Sequence, residues 1–189
     1  MRGVRRTQIS TVTSLIITKT KLTGVSVAEL ERFAVRARRS TKLRGEVAVL
    51  ITTNEEIREL NRSFRRKDKP TDVLSFPSDA RGMAGDIAIS AEIAAENGEA
   101  MGHGLATELK ILILHGMLHL GGYDHESDTG EMAEFEAKLR EKLELPHGLI
   151  ERASGGRTAA GSLPRRAAGR LVAAKVVKKS RTATARGRA

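Results

Sequence analysis

Three of the five histidines of this chain fall within His115-Gly116-Met117-Leu118-His119-Leu120-Gly121-Gly122-Tyr123-Asp124-His125. His115 and His119 are four apart in a segment, Leu105 to Leu120, that is apolar on nearly every side, and such a segment reads as a helix buried by the rest of its domain. Side chains at that spacing leave one face of a helix with Cβ atoms about 5–6 Å apart. Two imidazoles buried without partners would cost about 1–3 kcal/mol each, and one shared divalent cation satisfies both. Gly121 and Gly122 permit the left-handed turn that ends a helix, so that Tyr123, Asp124 and His125 fold back and bring a third imidazole to the same ion. Three protein ligands with an open fourth position describe a catalytic rather than a structural zinc site, zincin-like in geometry, with one Zn2+ per chain. Bound zinc lowers the pKa of water to about 7 and polarises a carbonyl or phosphoryl oxygen. The chain has no cysteine, which excludes thiolate ligands, cysteine nucleophiles and disulfides and fits a reducing cytoplasm.

The same histidine spacing serves the metzincin proteases, which place a glutamate directly after the first histidine as general base. Here that position is Gly116, so a peptidase built this way would lack its proton acceptor.

The elements that must position the histidines follow from periodicity. Thr11 to Thr18 reads as a first strand, and Ser26 caps a helix that ends near Ser40, with Glu29 in the capping-box position. Glu46 to Thr52 reads as a mostly buried strand; Thr53 or Asn54 caps a helix with Ile57, Leu60 and Phe64 on its apolar face. A basic loop from Arg65 to Lys69 leads to short strands at Val73 to Phe76 and Asp86 to Ser90, and Ser90 begins another helix. After the paired glycines, Thr129 to Leu145 reads as an amphipathic helix with Met132, Phe135, Leu139 and Leu143 inward, ended by Pro146. These elements make an α+β domain: a small mixed β-sheet of about four strands, packed with about five helices, with the histidine-bearing helix buried at the centre.

Charge divides the chain. Lysine and arginine number 33 against 23 acidic residues, a net charge of +10. Eleven of those basic residues and one acid lie in 150–189, leaving 22 of each sign in 1–149. The last forty residues are rich in Ala, Gly, Ser, Thr, Arg and Lys and have no aromatic residue, so they bury too little apolar surface to offset chain entropy and are expected to be a disordered basic tail. The domain, 1–149, is neutral, and its one dense cationic run is the loop of Arg65, Arg66, Lys67 and Lys69. No apolar stretch approaches the roughly 20 residues of a membrane span, and no apolar signal-peptide core follows Arg2, Arg5 and Arg6.

Two blocks resemble the YbeY endoribonucleases, bacterial rRNA maturation factors. One is the histidine motif quoted above. The other is Glu59-Leu60-Asn61 followed by Phe64-Arg65-Arg66-Lys67-Asp68-Lys69-Pro70-Thr71-Asp72-Val73-Leu74-Ser75-Phe76-Pro77, and Gly85-Asp86-Ile87 matches a shorter family element. The resemblance covers roughly residues 45 to 145. It implies zinc on His115, His119 and His125, a catalytic arginine at Arg65, and single-strand-specific RNA cleavage in 16S rRNA 3′-end maturation and ribosome quality control. The physical reading of the loop agrees, because a guanidinium grips two phosphate oxygens while charge builds in phosphoryl transfer. Arg65, Arg66, Lys67 and Lys69 are the expected substrate-binding residues, or an ordinary solvated charged loop. Asp86, Asp72 and Asp124 are candidates to orient the ligands from behind, or simple turn caps. With aromatic content at 3%, a base-stacking platform is not expected and RNA would be held through phosphates. The expected partners are rRNA and the small ribosomal subunit in the cytoplasm, with non-specific RNA contact by the tail, no membrane and no DNA specificity. Two rival readings stay open: a peptidase, and a non-catalytic assembly factor with a structural metal.

Overall fold

The computed structural model describes residues 15–124 and 128–146. The expected strand start at 11–14, His125 and the tail at 150–189 lie outside the described residues. Among the described residues, four strands and five helices follow in the order β1 (Leu15–Thr18), α1 (Val27–Ser40), β2 (Glu46–Thr52), α2 (Asn54–Arg65), β3 (Val73–Pro77), β4 (Met83–Ser90), α3 (Ala91–Ala100), α4 (Gly104–Leu120) and α5 (Glu131–Lys142). The expected α+β class, the number of strands and the number of helices all match.

The sheet order is β1-β2-β4-β3. β1, β2 and β4 are parallel, and β3 pairs antiparallel with β4 at the edge, Phe76 opposite Asp86 and Ser75 opposite Ile87. Pro77, which cannot donate to a ladder, is tolerated because β3 is an edge strand. The capping expectations are met: Ser26, Thr53 and Ser90 each accept a backbone N–H in the first turn of α1, α2 and α3. β4 begins three residues earlier than periodicity suggests.

Side chains alternate along β4, and its two faces meet different helices. Ile87 and Ile89 belong to the larger core, which includes Leu112, Met117 and Leu139, whereas Ala88 packs with Ile57, Leu60, Leu74 and Phe76 beneath α2. α4 thus lies on one face of the sheet with α1, α3 and α5 around it, and α2 covers the other. Eleven of the seventeen residues of α4 are buried, including His119 at 1 % exposure. Close contact between α4 and β4 depends on two missing side chains. A Cβ on Gly116 would stand 2.9 and 3.0 Å from methyl carbons of Ile87, and one on Gly85 would meet the Phe76 carbonyl oxygen at 2.3 Å and Leu120 Cδ2 at 2.7 Å.

α5 is shorter than expected at both ends. The Asp128 carboxylate accepts from the backbone N–H groups of Gly130 and Met132, both at 2.9 Å, and starts the helix. Its end comes before Pro146 because Glu144 takes a left-handed φ of 58°, allowing Leu145 N–H to return to the Arg140 carbonyl at 2.9 Å.

Candidate functional site

The two histidines of α4 converge through the same ring atom. His119 Nε2 lies 3.1 Å from His115 Nε2, and the rings meet edge to face with centroids 4.7 Å apart. Two nitrogens bound tetrahedrally to one zinc at about 2.0–2.1 Å stand about 3.3 Å apart, so the pair presents nearly the separation that a shared ion requires. The donors also suit a borderline-soft cation that favours imidazole. Among the described residues no three His, Cys, Asp or Glu side chains gather into a ligand set; the expected third ligand, His125, lies outside them.

The turn after α4 forms as the paired glycines suggest. Gly122 takes φ 91°, its N–H returns to the His119 carbonyl at 3.0 Å, and the Tyr123 N–H returns to Leu118 at 3.1 Å. This is the Schellman pattern that satisfies helix-end carbonyls. Tyr123 then packs against Phe135 of α5, ring centroids 5.2 Å apart, which fixes the direction of the chain entering Asp124. The Asp124 carbonyl accepts from Asp128 N–H at 3.0 Å.

Glu136, which the sequence reading passed over, reaches the site from α5. Its Oε2 accepts from His115 Nδ1 at 2.8 Å, and its Oε1 accepts from Arg140 Nε and Nη2 at 2.9 and 2.5 Å. Burial alone would push this carboxyl up, but His115 and Arg140 together hold it down at about 2. An ionised carboxylate can only accept, so the proton of a neutral His115 ring sits on Nδ1 and its Nε2 offers a lone pair. The signal was present in the sequence: Glu136 and Arg140 are four apart and fall inside the apolar stripe of Met132, Leu139 and Leu143, where unpaired charges are not tolerated.

Arg65 closes α2 and is half-buried, and the chain from it leads into β3, whose Ser75 hydroxyl donates to the Gly116 carbonyl of α4 at 3.3 Å. Arg66 takes a left-handed φ of 58° at the end of α2. The following loop is tied back to the helix: buried Asn61 donates to the Lys69 carbonyl at 2.7 Å, and Arg58 forms a paired contact with Asp68 at 2.9 and 3.0 Å. Arg66, Lys67 and Lys69 are left exposed. Arg58 and Asn61 are thus loop-shaping residues that periodicity did not single out.

The aspartates separate by position. Asp72 Oδ1 accepts from Val73 N–H at 2.9 Å and Thr71 Oγ1 at 3.1 Å, a cap at the start of β3. Asp86 shares its face of β4 with Ala88, so it points toward α2 and away from the face that carries α4. The strand's parity therefore corrects the expectation that Asp86 backs the histidines. It is 3 % exposed, and burial pushes its carboxyl up to about 6.

No helix among the described residues is long and apolar enough to cross a membrane. The model of the family described as endoribonuclease YbeY matches residues 12–144. A protein named endoribonuclease YbeY from Koribacter versatilis is 59% identical over 138 residues, covering 73% of this chain and 91% of that protein. Another of the same name from Solibacter usitatus is 50% identical over 123 residues, covering 65% and 83%. The solution structure of TM1509 from Thermotoga maritima is 32% identical, covers 68% of this chain and 89% of its own, and superposes with a TM-score of 0.48. With a family match running unbroken from strand β1 to the end of α5 and carrying both histidine and arginine blocks, this chain belongs to the YbeY endoribonuclease family.

Proposed function

We propose that this chain is a zinc-dependent endoribonuclease that cleaves single-stranded RNA in maturation of the 16S rRNA 3′ end, and that it acts in ribosome quality control on the small ribosomal subunit in the cytoplasm. The observation that carries the reading is the meeting of His115 and His119 Nε2 at 3.1 Å in a chain of this family. His115, His119 and His125 would hold the ion. When bound, zinc supplies Lewis-acid stabilisation of a phosphoryl oxygen and acidifies a water. Glu136 fixes the His115 tautomer and ring orientation. Arg65 takes two phosphoryl oxygens in its guanidinium fork as negative charge grows, and exposed Arg66, Lys67 and Lys69 hold neighbouring phosphates.

Residues 1–149 form the catalytic domain in this reading, and 150–189 a basic tail that contacts RNA without sequence preference; the family match ends before it. The peptidase alternative is disfavoured by Gly116, which faces Ile87 across the helix–sheet contact where a glutamate would have to stand.

The test is metal analysis of the purified full chain paired with cleavage of a single-stranded RNA, for wild type, His119→Ala and Arg65→Ala. His119→Ala should lose metal and cleavage together, whereas Arg65→Ala should keep metal and lose cleavage. Full cleavage by metal-free His119→Ala would overturn the site assignment, and full activity of Arg65→Ala would favour a non-catalytic assembly role. The product ends report the route: a 2′,3′-cyclic phosphate indicates attack by the ribose hydroxyl.

A further inference from the structure

A surface cleft of about 850 Å³ opens where the turn after α1, the start of β4 and α5 meet the end of α4. Lys42 and Arg44 enter it from the α1–β2 turn, and Lys138 and Lys142, four apart on α5, enter from the other side. None of the described residues that line it is acidic. Lys138 pairs with Glu134 at 2.6 Å, while Lys42, Arg44 and Lys142 form no ion pair with a described residue. All three are exposed. Half-buried Tyr123 and Phe135, their rings tilted by 32°, contribute an apolar aromatic floor. The cleft begins at Leu120 and Gly121, within two residues of His119.

Cations without acidic counterparts in a concave site concentrate field and draw a polyanion. An aromatic floor beneath them suits unstacked bases, which single strands supply and a paired A-form helix does not. We propose that this cleft is a binding groove for the phosphate backbone of single-stranded RNA flanking the bond to be cut, so that RNA seated at the histidines continues past the end of α4 between the α1–β2 turn and α5. The proposal rests on the endoribonuclease reading above and adds a second contact surface to the Arg65 loop. Beside the cationic run at Arg65, the cleft sets cations from distant segments next to two aromatic rings.

The experiment measures binding of a labelled, cleavage-resistant 2′-O-methyl oligouridine to the metal-loaded full chain across a salt series, alongside KM for unmodified RNA. The triple variant Lys42→Gln, Arg44→Gln, Lys142→Gln removes three phosphate contacts, each contributing a slope of about 0.7 in log K against log salt for single strands. The expected result is a slope flatter by about 2, hence binding weaker than wild type by roughly 100-fold at 0.1 M salt when the two are matched at their 1 M extrapolation, with KM raised and metal content unchanged. A control triple on another surface, Lys21→Gln, Arg32→Gln, Arg36→Gln, changes net charge equally and should leave the slope as in wild type. The three single cleft variants, each expected to lose about 0.7 of slope, carry the same test where the triple folds poorly. An unchanged slope in the cleft variants, or equal flattening in the control, overturns the groove. A wild type that neither binds nor cleaves RNA overturns the endoribonuclease reading instead.

Discussion

Glu136→Gln isolates what α5 does for the candidate metal site. Glutamine keeps the shape of the side chain but has one acceptor oxygen where the carboxylate has two. If that oxygen stays 2.8 Å from His115 Nδ1, the amide NH2 takes the place of Oε1, 2.9 and 2.5 Å from Arg140 donors, setting donor against donor. If the amide turns over, His115 loses its acceptor and its Nδ1 proton preference. Either way the lone pair on His115 Nε2 is less firmly held toward His119. Loss of such an outer partner costs about 10–100-fold in metal affinity, equivalent to about 1.4–2.8 kcal/mol. Stability should fall as well, because Arg140 is 9 % exposed and a buried charge left without its partner costs about 3–5 kcal/mol. Replacing Arg140 by Met in the same chain removes that uncompensated charge without restoring the acceptor. The assay is zinc competition against a chromophoric chelator at neutral pH for wild type, Glu136→Gln and Glu136→Gln/Arg140→Met, with melting temperature measured beside it. The double variant should recover stability but not zinc affinity. Glu136→Gln with wild-type zinc affinity would refute the argument that Glu136 orients His115, whatever its effect on melting.

Three further outcomes follow from particular contacts. Gly116→Ala gains about 1 kcal/mol of helix propensity but sets a methyl 2.9 Å from Ile87, and overpacking costs about 1–3 kcal/mol; thermal denaturation should show a lower melting temperature that Ile87→Val partly restores, and a rise in melting temperature would contradict the close packing. Asp86, 3.8 when unfolded and about 6 when folded, is destabilising above that window and costs nothing extra below it, so wild type loses about 3 kcal/mol as pH rises from below 3.8 through 6. Asp86→Asn should therefore gain on wild type across that interval in urea unfolding, and a stability difference independent of pH between 4 and 7 would rule this out. Deleting residues 150–189 should weaken RNA binding and flatten its salt slope, by about 3.5 if five cations contact a single strand, while metal content is retained; an unchanged slope would remove the tail from RNA binding.

What could be read from the sequence is what local geometry dictates. A spacing of four on a helix brings His115 and His119 together wherever that helix lies, and the nearly all-apolar Leu105–Leu120 segment could only be central. Gly122 terminates α4 in the left-handed turn because no side chain opposes that φ, and Ser26, Thr53 and Ser90 cap their helices through bonds spanning three residues. Each of these depends on neighbours in the chain. The features that were missed depend on packing between distant segments. Alternation along β4 separates Asp86 from Ile87, but which face receives α4 is decided by the helix's contact with Gly85 and Ile87. Glu136 stands among the apolar positions of its helix, which marks it as buried and paired, but that its partner is His115 is decided only when α5 docks with that position over the ring. Lys42 and Arg44 are nearly a hundred residues from Lys138 and Lys142, and charges counted along the chain summed to a neutral domain. Only the docking of α5 beside the α1–β2 turn gathers them into one cleft, because electrostatic potential follows distance in space, and the sequence orders charges by distance along the chain.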